Sequence, residues 1–252
     1  MPREKARISP QSRTDLSDPV GQAENLRLRH VLLIVAALAF GLAIDMRTDL
    51  PGQALLSAAV WCVLFYLLRS VETGQRRALL ACLVIATAGE LFLSLVWGLY
   101  TYRLGNVPLF VPPGHVLLLL LAIALAARMA RRTADAILGC AALYALAAAA
   151  IGFDTFALPL IVALAIVAAL MPRHRPLYAS TFLLALALEL YGTWLGNWTW
   201  SREVPVVALV TTNPPGLASA FYAVLDALVA CTALVLGRRF ALPAARSGHV
   251  SI

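Results

Sequence analysis

Apolar positions along this chain do not alternate with polar ones. They fill long runs, at about 29–46, 52–69, 78–101, 109–128, 134–152, 155–172, 177–196 and 215–237. Each run approaches the roughly 20 helical residues that cross a bilayer core. Lipid offers backbone groups no hydrogen-bond partner, so each run predicts a helix. The pattern therefore predicts an all-α, polytopic helical membrane protein with about eight transmembrane helices. The division is weakest at 134–172, where only Gly152-Phe153-Asp154 separates two Ala-rich runs.

A second pattern divides the chain. Glu90 lies inside an apolar run and is followed by Gly98, Tyr100, Tyr102 and Pro112-Pro113-Gly114. Glu189 is followed by Gly196, Trp198, Trp200 and Pro214-Pro215-Gly216. This predicts two four-helix repeats, 28–132 and 133–238, between a tail at 1–27 and a tail at 239–252. Four spans per repeat give both repeats one orientation, related by an axis along the membrane normal. Aligned on Pro-Pro-Gly, His115 faces Leu217 and Ala124 faces Asp226, so these positions break the symmetry.

Composition agrees with the pattern. The chain is 61% apolar and 13% charged, with a mean hydropathy of +0.82; a soluble domain is about a quarter charged. The net charge of +7 could indicate a nucleic-acid partner, but its distribution argues otherwise. Seventeen of the twenty Lys and Arg fall in the tails and the even-numbered loops; Arg47, Arg103 and Arg202 are the exceptions. The positive-inside rule then places both termini in the cytoplasm of a bacterial inner membrane. Membrane lipid accounts for the basic charge without nucleic acid. The Pro-, Arg- and Ser-rich start has no apolar core and reads as a disordered cytoplasmic tail, not a cleaved signal. Cys62, Cys82, Cys140 and Cys231 all lie in apolar runs, without the spacing of a metal or disulfide framework.

Candidate chemistry rests on three carboxylates at bilayer depth: Glu90, Glu189 and Asp226. Such groups are costly in lipid and mark either function or interhelical hydrogen bonding. Trp97, Tyr100, Tyr102, Trp194, Trp198 and Trp200, with Asn197, cluster just beyond the glutamates and are candidate contacts for an apolar, lipid-like small molecule. An interfacial aromatic belt is the alternative reading. Tyr100/Tyr102 and Trp198/Trp200 alternate at a period of two, which predicts extended backbone after Gly98 and Gly196. His115, entering the fourth run, is a candidate capping or catalytic residue. No metal site and no phosphate-binding loop is indicated.

The segment Glu189-x-x-Gly192-x-x-x-Gly196-x-Trp198-x-Trp200 resembles the core motif of the bacterioruberin-type carotenoid hydratases, polytopic proteins of the carotenoid biosynthesis family. Their pattern is Glu-x-x-Gly, a Gly-x-Tyr-x-Tyr element, then a Pro-containing loop. Gly98, Tyr100 and Tyr102 match the second element, but no Gly lies three after Glu90. Trp replaces Tyr in the later copy, and the spacing from Glu to the aromatics differs. The likeness implies water addition to an isoprenoid C=C bond without a cofactor. It implies Glu189 as the acid, Trp198 and Trp200 flanking a carbocation, and Glu90 or Asp226 positioning water. Two other classes fit the same sequence: a small proton-coupled transporter, and a non-catalytic subunit of a membrane complex.

Overall fold

A computed structural model of the chain describes residues 26–240, and side chains through 235. The tails expected at 1–27 and 239–252 lie almost wholly outside the described residues. Among the described residues there are eight α-helices: α1 (Leu28–Asp45), α2 (Leu50–Leu68), α3 (Thr73–Glu90), α4 (Val111–Ala126), α5 (Arg131–Ala150), α6 (Ala157–Leu170), α7 (Arg175–Leu195) and α8 (Ser219–Phe240). Two short strands, β1 (Tyr100–Tyr102) and β2 (Trp198–Trp200), complete the fold.

Four helical segments are long and apolar enough to cross a membrane: Leu28–Asp45, Leu50–Leu68, Thr73–Val96 and Arg131–Ala150. A fifth arises if α6 and α7, bent by 109° at Pro172–His174, count as one span. Helices α4 and Ser219–Val235 are apolar but shorter. At 1.5 Å per residue, α4 is only about 24 Å long.

The helices are apolar all round, so amphipathicity does not choose their buried faces. The buried side of α2 is Gln53, Ser57, Val60, Leu64 and Leu67, while Leu55, Phe65 and Tyr66 point outward. Phe40, Val84, Leu95, Leu146, Val162 and Leu170 are likewise exposed on other helices. Such an outward apolar surface suits lipid and not water.

Helix α4 is the most buried and packs on α1, α2, α3 and α7; α8 packs on α3, α6 and α7. Helices α3, α4, α7 and α8 thus form the centre, with α1/α2 and α5/α6 outside. The centre is closed at one end by β1 and β2, which pair antiparallel: Tyr100 with Trp200, Thr101 with Thr199, Tyr102 with Trp198. Because β1 follows α3 within ten residues and β2 follows α7 within three, those two helices end at the same end of the bundle.

The two approaches to the strands differ. Helix α7 runs on to Leu195 and stops at Gly196, whose φ of +86° closes the helix in the left-handed conformation. After α3, Leu91–Val96 is π-helical. A π-turn holds one more residue than an α-turn. That absorbs the longer first-copy spacing: Tyr100 is ten residues from Glu90, whereas Trp198 is nine from Glu189. The apolar run over 78–101 is therefore α-helix, then π-helix, then the start of the extended segment expected after Gly98.

Two buried aspartates fix the connections at this end. Asp45, closing α1, accepts from Gln53 Nε2 and Asn197 Nδ2, each at 2.8 Å. Arg103 bonds the backbone oxygens of Asp45 and Thr48. Asp154, fully buried before α6, accepts from Thr211 Oγ1 (2.9 Å), Gly216 N (3.1 Å) and Ala157 N (3.2 Å). It thereby straps the 201–218 segment to the α5–α6 turn. Replacing Asp154 by Ala strands several buried donors at once, each unmade bond costing about 1–3 kcal/mol. Asp154→Ala should lower the melting temperature and speed amide hydrogen exchange over 201–218, with β1 and β2 less affected.

Candidate functional site

The two glutamates sit one turn or more before their helices give way to the strands, and both are buried. Each receives hydrogen bonds from the aromatic pair of its own half of the chain. Glu90 Oε2 accepts from Tyr100 Oη at 2.7 Å and Tyr102 Oη at 2.6 Å. Glu189 Oε2 accepts from Trp198 Nε1 at 2.8 Å and Trp200 Nε1 at 3.0 Å. The extended backbone makes this geometry: residues two apart on a strand share a face, so both rings reach one carboxyl group.

The second oxygen of each carboxyl meets the neighbouring central helix. Glu90 Oε1 is hydrogen-bonded to His115 Nε2 of α4 at 2.8 Å. Glu189 Oε1 accepts from Tyr222 Oη of α8 at 2.9 Å. The His115 and Tyr222 rings stack, with centroids 4.8 Å apart and planes at 25°. Tyr100 packs on Trp200 at 4.6 Å, and Tyr102 on Trp198 at 6.1 Å, across the strand pair. Two carboxyl groups, each held by three partners, thus meet through a wall of aromatic rings.

The donor set limits where protons sit. An indole N–H only donates, so Glu189 Oε2 must accept from both tryptophans. A proton on Glu189 therefore belongs on Oε1, against Tyr222. Glu90 has no such restriction, because both tyrosine hydroxyls and an imidazole nitrogen can donate or accept.

These groups line a cavity of about 230 Å³. Its polar lining includes Glu90, Glu189, His115, Tyr100, Tyr102 and Tyr222; Trp198 and Trp200 lie beside them. The remainder is mostly aliphatic, including Leu38, Leu118, Leu188 and Leu225. Phe92, in the π-helical segment after α3, and Leu228 of α8, both about half exposed, also line it, so the cavity reaches the outward surface there.

The structure brings together seven of the residues expected from sequence: Glu90, Glu189, His115, Tyr100, Tyr102, Trp198 and Trp200. Four others lie outside the lining. Asp226 is buried one turn beyond Tyr222, where it accepts from Thr181 Oγ1 at 2.6 Å. Asn197 is spent on Leu42 O and Asp45. Trp97 donates to Pro205 O at 2.9 Å and packs against Phe92 and Phe156. Trp194 is 78% exposed on the outer face of α7. Trp194→Ala should therefore leave ligand binding at the cavity unchanged, measured on protein in lipid nanodiscs.

Tyr222 was not among the expected residues. Its sequence signal is a hydroxyl four residues before Asp226, on the same face of an apolar helix. Alignment on Pro-Pro-Gly hides it. Pro112-Pro113-Gly114 lies inside the first turn of α4, but Pro214-Pro215-Gly216 lies ahead of α8. The side chain that meets Glu189 as His115 meets Glu90 is thus Tyr222, not Leu217.

Among the described residues, no three of His, Cys, Asp and Glu converge as metal ligands. Comparison with protein-family models, curated proteins and solved structures finds no match.

Proposed function

We propose that this chain is a membrane enzyme that adds water to a C=C bond of an isoprenoid- or carotenoid-type lipid, without a cofactor. One observation carries the reading: a largely apolar cavity lined by the half-exposed Phe92 and Leu228 is also lined by two buried glutamates. An apolar chain can enter such a cavity from the bilayer and present an alkene to acid and base together.

The chemistry balances within the site. Glu189, protonated on Oε1, gives its proton to one alkene carbon. The π electrons form the new C–H bond, leaving a carbocation on the other carbon. The faces of Trp198, Trp200 and Tyr222 stabilise that cation. Water adds its oxygen to the cation and loses a proton to Glu90, whose carboxylate is paired with His115. One proton leaves Glu189 and one arrives at Glu90, so a single transfer back resets the pair.

We further propose eight spans, arranged as two parallel repeats, with both termini in the cytoplasm of a bacterial inner membrane. The matching hydrogen bonds at Glu90 and Glu189 support the repeat, as do the like directions of α3 and α7. The arginines at the α2–α3, α4–α5 and α6–α7 connections support the orientation.

A second reading, proton-coupled transport, is favoured by the Asp226–Thr181 pair. It continues the polar positions from Tyr222 toward the arginine-rich end.

The test is product formation. Cells making linear polyenes, with and without this chain, are extracted and their lipids analysed by mass spectrometry. A polyene heavier by one water, present only with the chain, is the expected result. Unaltered polyenes alongside proton uptake in reconstituted vesicles would replace the enzyme with the transporter.

A further inference from the structure

Tyr222 joins the two carboxylate clusters by a hydrogen bond on one side and a stacked ring on the other. Its hydroxyl bonds Glu189 Oε1, and its ring lies on His115, which in turn bonds Glu90 Oε1. The other contacts between the clusters are edge-on or tilted ring packings across the strands. We propose that Tyr222 is a positioning residue that joins the two clusters, so that Glu189 and the Glu90–His115 pair exchange protons as one unit. This goes beyond the hydratase reading and does not depend on which ligand enters the cavity.

The argument rests on geometry. Trp198 and Trp200 occupy Glu189 Oε2 as donors, which leaves Oε1 as the only oxygen able to hold a proton. Tyr222 is the hydrogen-bond partner at that oxygen. The imidazole of His115, bonded to Glu90, stacks on the Tyr222 ring with centroids 4.8 Å apart. Any change in charge on His115 or Glu90 therefore acts on Tyr222 and, through its hydroxyl, on the Glu189 proton. In a site shielded from water, such charges interact strongly.

The titratable groups facing this unit are few. Glu90 faces it from α3, Tyr100 and Tyr102 from β1, and Glu189 from α7. Asp226 lies one turn along α8, bonded to Thr181. The buried Cys82 of α3 lies two turns from Glu90.

The experiment needs no substrate, because Trp198 and Trp200 report on Glu189 directly. The full chain, labelled with 5-fluorotryptophan and held in lipid nanodiscs, is followed by fluorine NMR from acid to alkaline pH. Trp198→Phe and Trp200→Phe assign the two signals; the Trp61 signal, from an indole bonded to Leu109 O, serves as the fold control. Both indole signals should titrate in the wild type. His115→Gln should move their midpoint by about one pH unit or more, the coupling expected of a shared site. In a Tyr222→Phe background, the same His115→Gln change should move it far less.

An unmoved midpoint in His115→Gln would overturn the proposal. So would an equal shift with and without the Tyr222 hydroxyl, which would assign the coupling to distance alone. The absence of any titration in the wild type would overturn it too, since the unit then exchanges no proton. Should Tyr222→Phe lose the Trp61 signal position, Tyr222→Leu, which also removes the hydroxyl, supplies the same cycle against His115→Gln.

Discussion

Glu189→Gln should remain folded and, on the proposed hydratase reading, lose product formation by about a hundredfold or more, the usual scale for removing a general acid. The substitution suits the site. The amide oxygen of Gln can take the place of Oε2 and accept from Trp198 Nε1 and Trp200 Nε1. Its NH2 then points at Tyr222 Oη, which can accept. All three contacts of the side chain are kept, with Tyr222 Oη changing from donor to acceptor, so stability should change little. What disappears is the transferable proton. The measurement pairs product yield, per mole of purified protein, with thermal unfolding of the same sample. Glu90→Gln is less benign, because an amide facing Tyr100, Tyr102 and His115 forces those groups to reorient. Full product yield from Glu189→Gln would remove Glu189 from the mechanism.

Gly192→Ala should have the larger effect on structure. A Cβ at Gly192 would stand 2.0–2.6 Å from three atoms of the Trp198 six-membered ring. Helix α7 offers no room on one side, and the ring is held on the other by its bond to Glu189. The indole must swing away. That breaks the Trp198–Glu189 bond and disturbs the Trp198–Tyr102 pair in the strands. Overpacking of this kind costs about 1–3 kcal/mol before the lost hydrogen bond is counted. The expected outcome is a lower melting temperature, a displaced Trp198 fluorine signal and an unaltered Trp61 signal. Gly89→Ala is the contrast, since a Cβ there meets nothing within 4 Å.

This clash also explains why the chain reads as it does. Gly192 stood out in the sequence as Gly three residues after Glu189, and its role proves to be space for an indole. Leu93 occupies the corresponding place after Glu90, where the π-helix reroutes the backbone. Glu90 and Glu189 were legible because a carboxylate in an apolar run has no inconspicuous explanation. The alternating aromatics were legible because a period of two contradicts a helix, and both segments are strands.

Other features left no such mark. The π-helix was hidden because Leu91–Val96 is apolar on every face, so periodicity carried no information there. Asp45 and Asp154 close apolar runs and resemble ordinary loop acids, yet both are buried and hold distant segments. Tyr222 was obscured by the shift of Pro-Pro-Gly relative to the helix that follows it.

The strand pair has a consequence of its own. Its register centres on Thr101 opposite Thr199, with an aromatic residue on each side of both. An antiparallel pair centred on one residue is self-complementary: a strand of this kind can pair with an identical copy of itself about a two-fold axis. A chain carrying only one half could therefore assemble this junction as a homodimer. Joining two such halves in one polypeptide frees each to change alone, as Trp in one strand and Tyr in the other illustrate.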